Sequence, residues 1–433
     1  MNVRVVPLGV LCLILLFVPV YAQVTKPVIA HFLVGNAFPY NVTTWRRDMD
    51  LAYSKGIDGF SLNIGRDDWQ PDRVADAFAA ATGTPFKLIL SFDMASLPCS
   101  TLADGAELRQ YVEQYHSHDN YLRVGERPLV TTFGGQYCQF GQPTVNEGWR
   151  RIMKTHLTEV HFVPSLFVEP STYSGLSSTD GAFSWDSGWP MGNYDISNDS
   201  DVAYLSALNG KTYMAAVSPW FFTHYGVDSY NKNFIFRADN WLLVERWEML
   251  VQERDHIDMV QVISWNDYGE SHYMGPIEGA QPHSEAWTTG FDHQGWLDLQ
   301  QYYIQGYKTG QYPGISRIRI FLWGRLHPAL EDIPSDPVGK PENFRFTEDF
   351  VWAVIFLPDE ARLNLSCGEN VIILDLDSGV SKVRLPVTND CTPTATIVRE
   401  SDGYHMLVFT PQGYNWTTRP TAYNFNAFVA ASP

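Results

Sequence analysis

The sequence predicts a (β/α)8 TIM barrel followed by a small C-terminal antiparallel β-sandwich. Three observations carry that expectation. Eight apolar, β-branched segments recur over roughly 300 residues, with helix-patterned stretches between them. Several of these segments are continuous apolar runs, as strands covered on both faces should be. Beyond Pro328, Pro334, Pro337 and Pro341 the pattern changes to short alternating runs divided by Gly, Asp and Pro turns, which is how a small sandwich reads. A doubly wound sheet is the alternative, but it usually carries a Gly-rich nucleotide turn after its first strand, and "VGNAFP" at Val34–Pro39 is not one.

The first residues set the compartment. Arg4, the apolar "LGVLCLILLFVPV" and the small-residue exit "VYA" before Gln23 have the layout of a signal peptide over residues 1–22, with a core too short for a comfortable membrane span. A secreted, extracellular or wall-located chain is therefore expected, without a membrane association after cleavage. The barrel is expected over 23–327, a Pro-rich linker over 328–341 and the sandwich over 342–433. The strand candidates are Pro27–Gly35, Ile57–Gly65, Phe86–Ala95, Arg127–Gly135, His161–Glu169, Gly181–Gly188, Thr212–Phe221 and Met259–Asp267.

Helices between them are punctuated. One ends at Gly56, the next has Pro71 near its start and Gly83 past its end, and Thr144 and Glu147 have capping-box spacing. "VAYLSALNG" closes at Gly210, "NWLLVERWEMLVQERDHI" is long and amphipathic, and "GWLDLQQYYIQGYKTG" is a last helix candidate. The connection from Glu169 to Gly181 reads as a loop.

Signal cleavage removes Cys12 and leaves Cys99, Cys138, Cys367 and Cys391, an even count in an oxidising compartment. Proximity alone suggests Cys99–Cys138 and Cys367–Cys391. Sequons at Asn41, Asn198, Asn364 and Asn415 suit a glycosylated product. The formal charge of -18 argues against nucleic acid and anionic membranes as partners, and a neutral polymer is indifferent to it. No cysteine–histidine cluster has zinc spacing, and "SNDSD" and "DLDSG" read better as a helix cap and a turn than as calcium loops. Neither a metal nor a cofactor is expected, and a monomer is the default.

In a barrel, functional groups gather where strands end. Those ends supply His31, Asn63, Asp93, Trp185 with Asp186, Trp220, and then Trp265, Asn266, Asp267, Tyr268 and Glu270, with His272 just beyond. Paired carboxyls among aromatics are what glycoside cleavage requires: one protonates the leaving oxygen while the other activates water or attacks carbon. Asp267 and Glu270 can converge only if the strand ends near Asp267, and Gly269 is expected to supply the backbone freedom. Sequence leaves open whether they converge to the roughly 6.5–9.5 Å of inverting pairs or the roughly 5–5.5 Å of retaining ones. Aromatic surroundings lean towards Glu270 as acid and Asp267 as base.

The segments "KPVIAHFLVGN", "GIDGFSLNIG", "FKLILSFDMA" and "SWNDYGESHY" resemble the fungal α-1,3-glucanases, or mutanases, of glycoside hydrolase family 71. The resemblance implies a (β/α)8 barrel with a β-sandwich, and hydrolysis of α-1,3-glucan with inversion at the anomeric carbon. It maps the catalytic pair onto Asp267 and Glu270 and a further functional carboxylate onto Asp93. A glycosidase for a different glucan and a non-catalytic wall-polysaccharide-binding protein are the rival readings.

Overall fold

The structure is a computed structural model describing residues 26–433, so the expected signal peptide lies outside the described residues. Each of the eight segments contributes a strand: β1 (Val28–Leu33), β2 (Gly59–Ile64), β3 (Lys87–Asp93), β4 (Arg127–Phe133), β5 (His161–Phe162), β6 (Gly181–Ser184), β7 (Thr212–Val217) and β8 (Met259–Val262). They form one curled α/β sheet in the order β5-β4-β3-β2-β1-β8-β7-β6, every neighbouring pair parallel. At its two ends Asp180 N–H donates to Phe162 O (2.8 Å) and Phe183 N–H to Pro164 O (2.9 Å). β2 is buried throughout, which explains its lack of polar alternation.

Helices α1 (Val42–Ser54), α2 (Gln70–Ala81), α3 (Leu102–Tyr115), α4 (Val145–Lys154), α5 (Asp199–Leu208), α6 (Leu242–Gln252) and α7 (Gln294–Thr309) separate or follow the strands. Asn41 caps α1 by accepting the N–H groups of Thr43 and Thr44, and Gly56, at φ +90°, lies just past its end. Thr144 caps α4 as its spacing suggests. α3 was not expected, although Thr101 and Asp104 close a full capping box at its start. Between Glu169 and Gly181 lies only a short 3-10 turn, Pro170–Gly175. One buried ion pair pins α5 and α6 to the sheet: the Arg246 guanidinium donates to both oxygens of Asp201, to Ala216 O and to Ser187 Oγ. Among the described residues no helix is long and apolar enough to cross a membrane.

The C-terminal part is two four-stranded antiparallel sheets. One runs β13-β10-β9-β16, from Gly379–Pro386, Phe350–Leu357, Arg319–Gly324 and Phe428–Ala431 respectively; the other runs β12-β11-β14-β15, from Asn370–Leu376, Ala361–Cys367, Thr394–Val398 and His405–Phe409. Alternation decides their packing. Ile320, Leu322, Val351, Ala353, Ile355 and Leu357 meet Leu363, Leu365, Ala395 and Ile397 in a sandwich core. Phe321, Trp323, Trp352, Val354 and Phe356, on the opposite face of β9 and β10, belong instead to the main core with Trp296 and Trp247.

The expected division at residue 327 falls just after β9. β9 precedes it yet pairs with β10 and β16, and its two apolar faces pack into different cores. Residues 328–341 are also tied down rather than spanning a gap: Asp336 accepts the N–H groups of Val338, Gly339 and Tyr423, and Tyr423 Oη accepts the Ile333 N–H. Both expected disulfides, Cys99–Cys138 and Cys367–Cys391, are formed.

Candidate active site

Regular pairing in β8 stops at Val262, five residues before Asp267. The chain then folds into a compact loop closed on itself: Ser264 N–H donates to His272 O (2.9 Å), Met274 N–H to Ser264 O (3.0 Å) and Gly275 N–H to Trp265 O (2.8 Å). Within it, Asp267 N–H donates to Ser264 Oγ (2.9 Å) and Glu270 N–H to an Asp267 carboxylate oxygen (3.2 Å). Both carboxylates thereby turn into a cleft of about 380 Å³. The left-handed residue in this turn is Ser271, at φ +61°, and Gly269 has no positive φ. Gly269 is needed for space instead, because a Cβ there would collide with the hydroxyl of Tyr225.

The two carboxyls are electrostatically unlike. Burial and the neighbouring Glu270 charge push Asp267 up to about 6. Burial also works against ionising Glu270, but the His272 hydrogen bond and charge, with Lys232, outweigh it and hold its carboxyl below the ordinary value. His272 is fully buried; Nε2 meets Glu270 Oε2 at 3.1 Å and Nδ1 meets Ser264 Oγ at 3.0 Å. Lys232 Nζ lies 3.8 Å from Glu270 Oε1. A ligand atom from each of Asp267, Glu270 and His272 lies within 4.8 Å of the others, close enough to share one cation. The His272 nitrogens are already engaged by Glu270 and Ser264, which accounts for the cluster without one.

The remaining expected residues divide into two groups. Asp93, at the end of β3, lines the cleft, accepts the Ala95 N–H, and is raised by burial. His31, on β1, is driven down to about 3 by burial and by His272, so it stands neutral with its ring edge-on to Trp185. Trp185 packs against both His31 and His272. Asn63 is buried and donates to Ser91 Oγ. The second group is framework. Trp265 donates to Asp48 from the core, and the Asn266 side chain bonds both the N–H and the C=O of Leu33. Tyr268 Oη donates to Pro276 O and accepts the Gly279 N–H, and Trp220 donates to Phe425 O in the contact with the C-terminal part. None of these four lines the cleft, and neither does exposed Asp186.

The site also holds residues that sequence reasoning missed. A hairpin after β7 (Phe222–His224 with Asn233–Ile235) brings Tyr225, Tyr230 and Lys232 over the cleft. It is anchored by Phe222 N–H donating to Glu270 O (3.1 Å) and by His224 facing Asp336 and Asn233. Asn36, Gln70 and Ser96 complete the wall. From the C-terminal part, Asn426 donates to the hydroxyl of Tyr273 and to Trp287 O, bracing the catalytic loop from behind. Asn41 and Asn415 are exposed and Asn198 and Asn364 half-buried.

The chain can now be compared with known proteins. It is 35% identical to a glucan endo-1,3-alpha-glucosidase of Schizosaccharomyces pombe over 97% of this chain and 98% of that one. It is 31% identical to a mutanase of Penicillium rubens over 94% of this chain and 89% of that one. An ascus wall endo-1,3-alpha-glucanase of S. pombe is 30% identical over 93% and 96%. The fold is similar to that of a GH99 endo-alpha-mannosidase from Bacteroides thetaiotaomicron, with a TM-score of 0.52, 10% identity, and coverage of 66% of this chain and 98% of that one. A sequence profile described as glycosyl hydrolase family 71 matches residues 24–433. With paired carboxylates in a cleft and this match along nearly the whole chain, the protein belongs to glycosyl hydrolase family 71 and is a glycoside hydrolase.

Proposed function

We propose that the protein is a secreted endo-1,3-α-glucanase whose eight parallel strands close into a (β/α)8 barrel and whose acids are Asp267 and Glu270. The observation that carries the chemistry is the opposite electrostatic setting of those two carboxyls in one cleft. The substrate class rests on the relatives, which are named for α-1,3-glucan. The two hydrogen bonds between the β5 and β6 segments support closure of the barrel.

Asp267, held protonated to about pH 6, gives its proton to the departing glycosidic oxygen. Glu270, kept ionised by His272 and Lys232, is the partner that acts at the anomeric carbon. This reverses the assignment suggested by aromatic surroundings alone. With inversion, as family resemblance implies, Glu270 takes a proton from the attacking water. Direct attack by Glu270, with retention of configuration, is the alternative that the same two carboxyls allow. Asp93 and the hairpin tyrosines hold the sugar in both.

Two measurements test this. An α-1,3-glucooligosaccharyl fluoride needs no proton on its leaving group, so Asp267→Asn should keep most of the unmodified rate on it and Glu270→Gln should lose it. The opposite pattern would restore Glu270 as the acid. Proton NMR of the first products from α-1,3-glucan separates inversion (β-anomer first) from retention (α-anomer first). No release of sugar at all would overturn the substrate reading.

A further inference from the structure

A second cleft, of about 410 Å³, opens beside the catalytic one. Gly65, Arg66 and Asp67 line both, so the loop after β2 is a saddle between them. The near side of the second cleft is formed by Asp68, Leu97 and Pro98, and the far side by one face of α3. Along that face Glu107, Gln110, Tyr111 and Gln114 recur at helical spacing, so they form one stripe beside the groove.

Much of this polar capacity is unspent. Among the described residues, the side chains of Arg66, Glu107 and Gln110 make no hydrogen bond or ion pair. Tyr111 is half-buried with its ring edge-on to Phe92, which fixes it as a flat wall. Amide and carboxylate groups beside a fixed aromatic ring can take the hydroxyls and C–H faces of a neutral sugar. The carboxylates of Asp68, Asp104 and Glu107 disfavour an anionic polymer.

We propose that this cleft is a remote glucosyl-binding subsite. The polymer runs from Asp267 and Glu270 across the Gly65–Asp67 saddle to α3. The inference rests on the α-glucan reading above and adds where the chain goes beyond the bond that is cut. Contacts far from that bond raise turnover on long chains by holding the reacting unit in place.

The test is the triple variant Glu107→Ala, Gln110→Ala, Gln114→Ala, all at exposed positions of a helix that alanine favours. kcat/KM is measured on α-1,3-glucooligosaccharides from the shortest one cleaved up to about eight units. The expected result is an unchanged value on the shortest substrate and a loss of about tenfold or more on those long enough to reach α3. The same value as the unmodified enzyme at every length, or the same loss at every length, would overturn the subsite and leave the substrate reading intact. An unmodified enzyme that cleaves none of the series overturns the substrate reading itself.

Discussion

Replacing His272 by Phe removes the device that keeps Glu270 ionised, together with the His272 contact to Ser264 Oγ. Phe preserves a ring against Trp185, Trp189 and Phe221 but removes the hydrogen bond to Glu270 Oε2. A hydrogen bond to a charged group contributes about 1.5–3 kcal/mol. At about 1.36 kcal/mol per pH unit, its loss raises the Glu270 carboxyl by about one to two units. Glu270 is a quarter exposed, which places the effect at the lower end. The sign follows from the role: the reaction needs Glu270 ionised, so raising its pKa moves the acidic limb of the pH–rate profile upward. The basic limb is set by Asp267 near 6; it loses only the His272 charge and no hydrogen bond, so it rises less. The two limbs then crowd together, the working window narrows, and the maximal rate falls, by at most about threefold even where the two macroscopic values coincide. The assay is kcat/KM on a soluble oligosaccharide from about pH 3 to 8. An acidic limb that stays within about 0.3 of a unit would refute the reasoning, and movement of the basic limb alone would make Glu270 the acid.

Three further outcomes follow from the packing. Gly269→Ala forces Tyr225 off the cleft and should lower kcat/KM, while Tyr225→Phe in the same chain, lacking the colliding hydroxyl, should restore most of it. Serine at both Cys367 and Cys391 frees a 24-residue separation in the sandwich, which by loop entropy costs about 3 kcal/mol and appears as a lower midpoint in thermal or urea unfolding. Asp201→Ala leaves the fully buried Arg246 without its counter-charge and should destabilise the chain by about 3–5 kcal/mol in urea titration, with little change in the pH–rate profile of the surviving native enzyme.

The strands were legible because segments buried on both faces are written as apolar runs, and Gly and Pro mark the ends of α1, α2 and α7. α3 was legible in principle: Leu108, Val112 and Tyr115 lie on its buried face and Thr101 with Asp104 caps it, but an internal Gly105 and a largely polar exposed side weaken the pattern. The hairpin after β7 has strands of three residues, too short for alternation to register. Lys232 therefore could not be linked to Glu270 from spacing, since only the hairpin brings them together. The acids themselves were found, but not their neighbours' duties. Beyond Val262 the strand's two-residue alternation no longer holds, so nothing in the letters separates Trp265, Asn266 and Tyr268, used as framework, from Asp267 and Glu270, which face the cleft. The electrostatic roles depended on His272, two residues past Glu270, rather than on the aromatics around it.

β9 and β10 serve two cores with their opposite faces, and that makes the C-terminal sandwich a poor candidate for exchange as a module. Cutting the chain before β9 would bare tryptophans on α6 and α7 and an equally apolar sheet on the excised piece. Neither product has a water-compatible surface to fall back on, so both would be prone to aggregate. The two parts should accordingly melt as one cooperative unit. Recombination between relatives would preserve solubility only where the crossover carries α6, α7, β9 and β10 together, so the heritable unit of this enzyme is larger than the catalytic sheet alone.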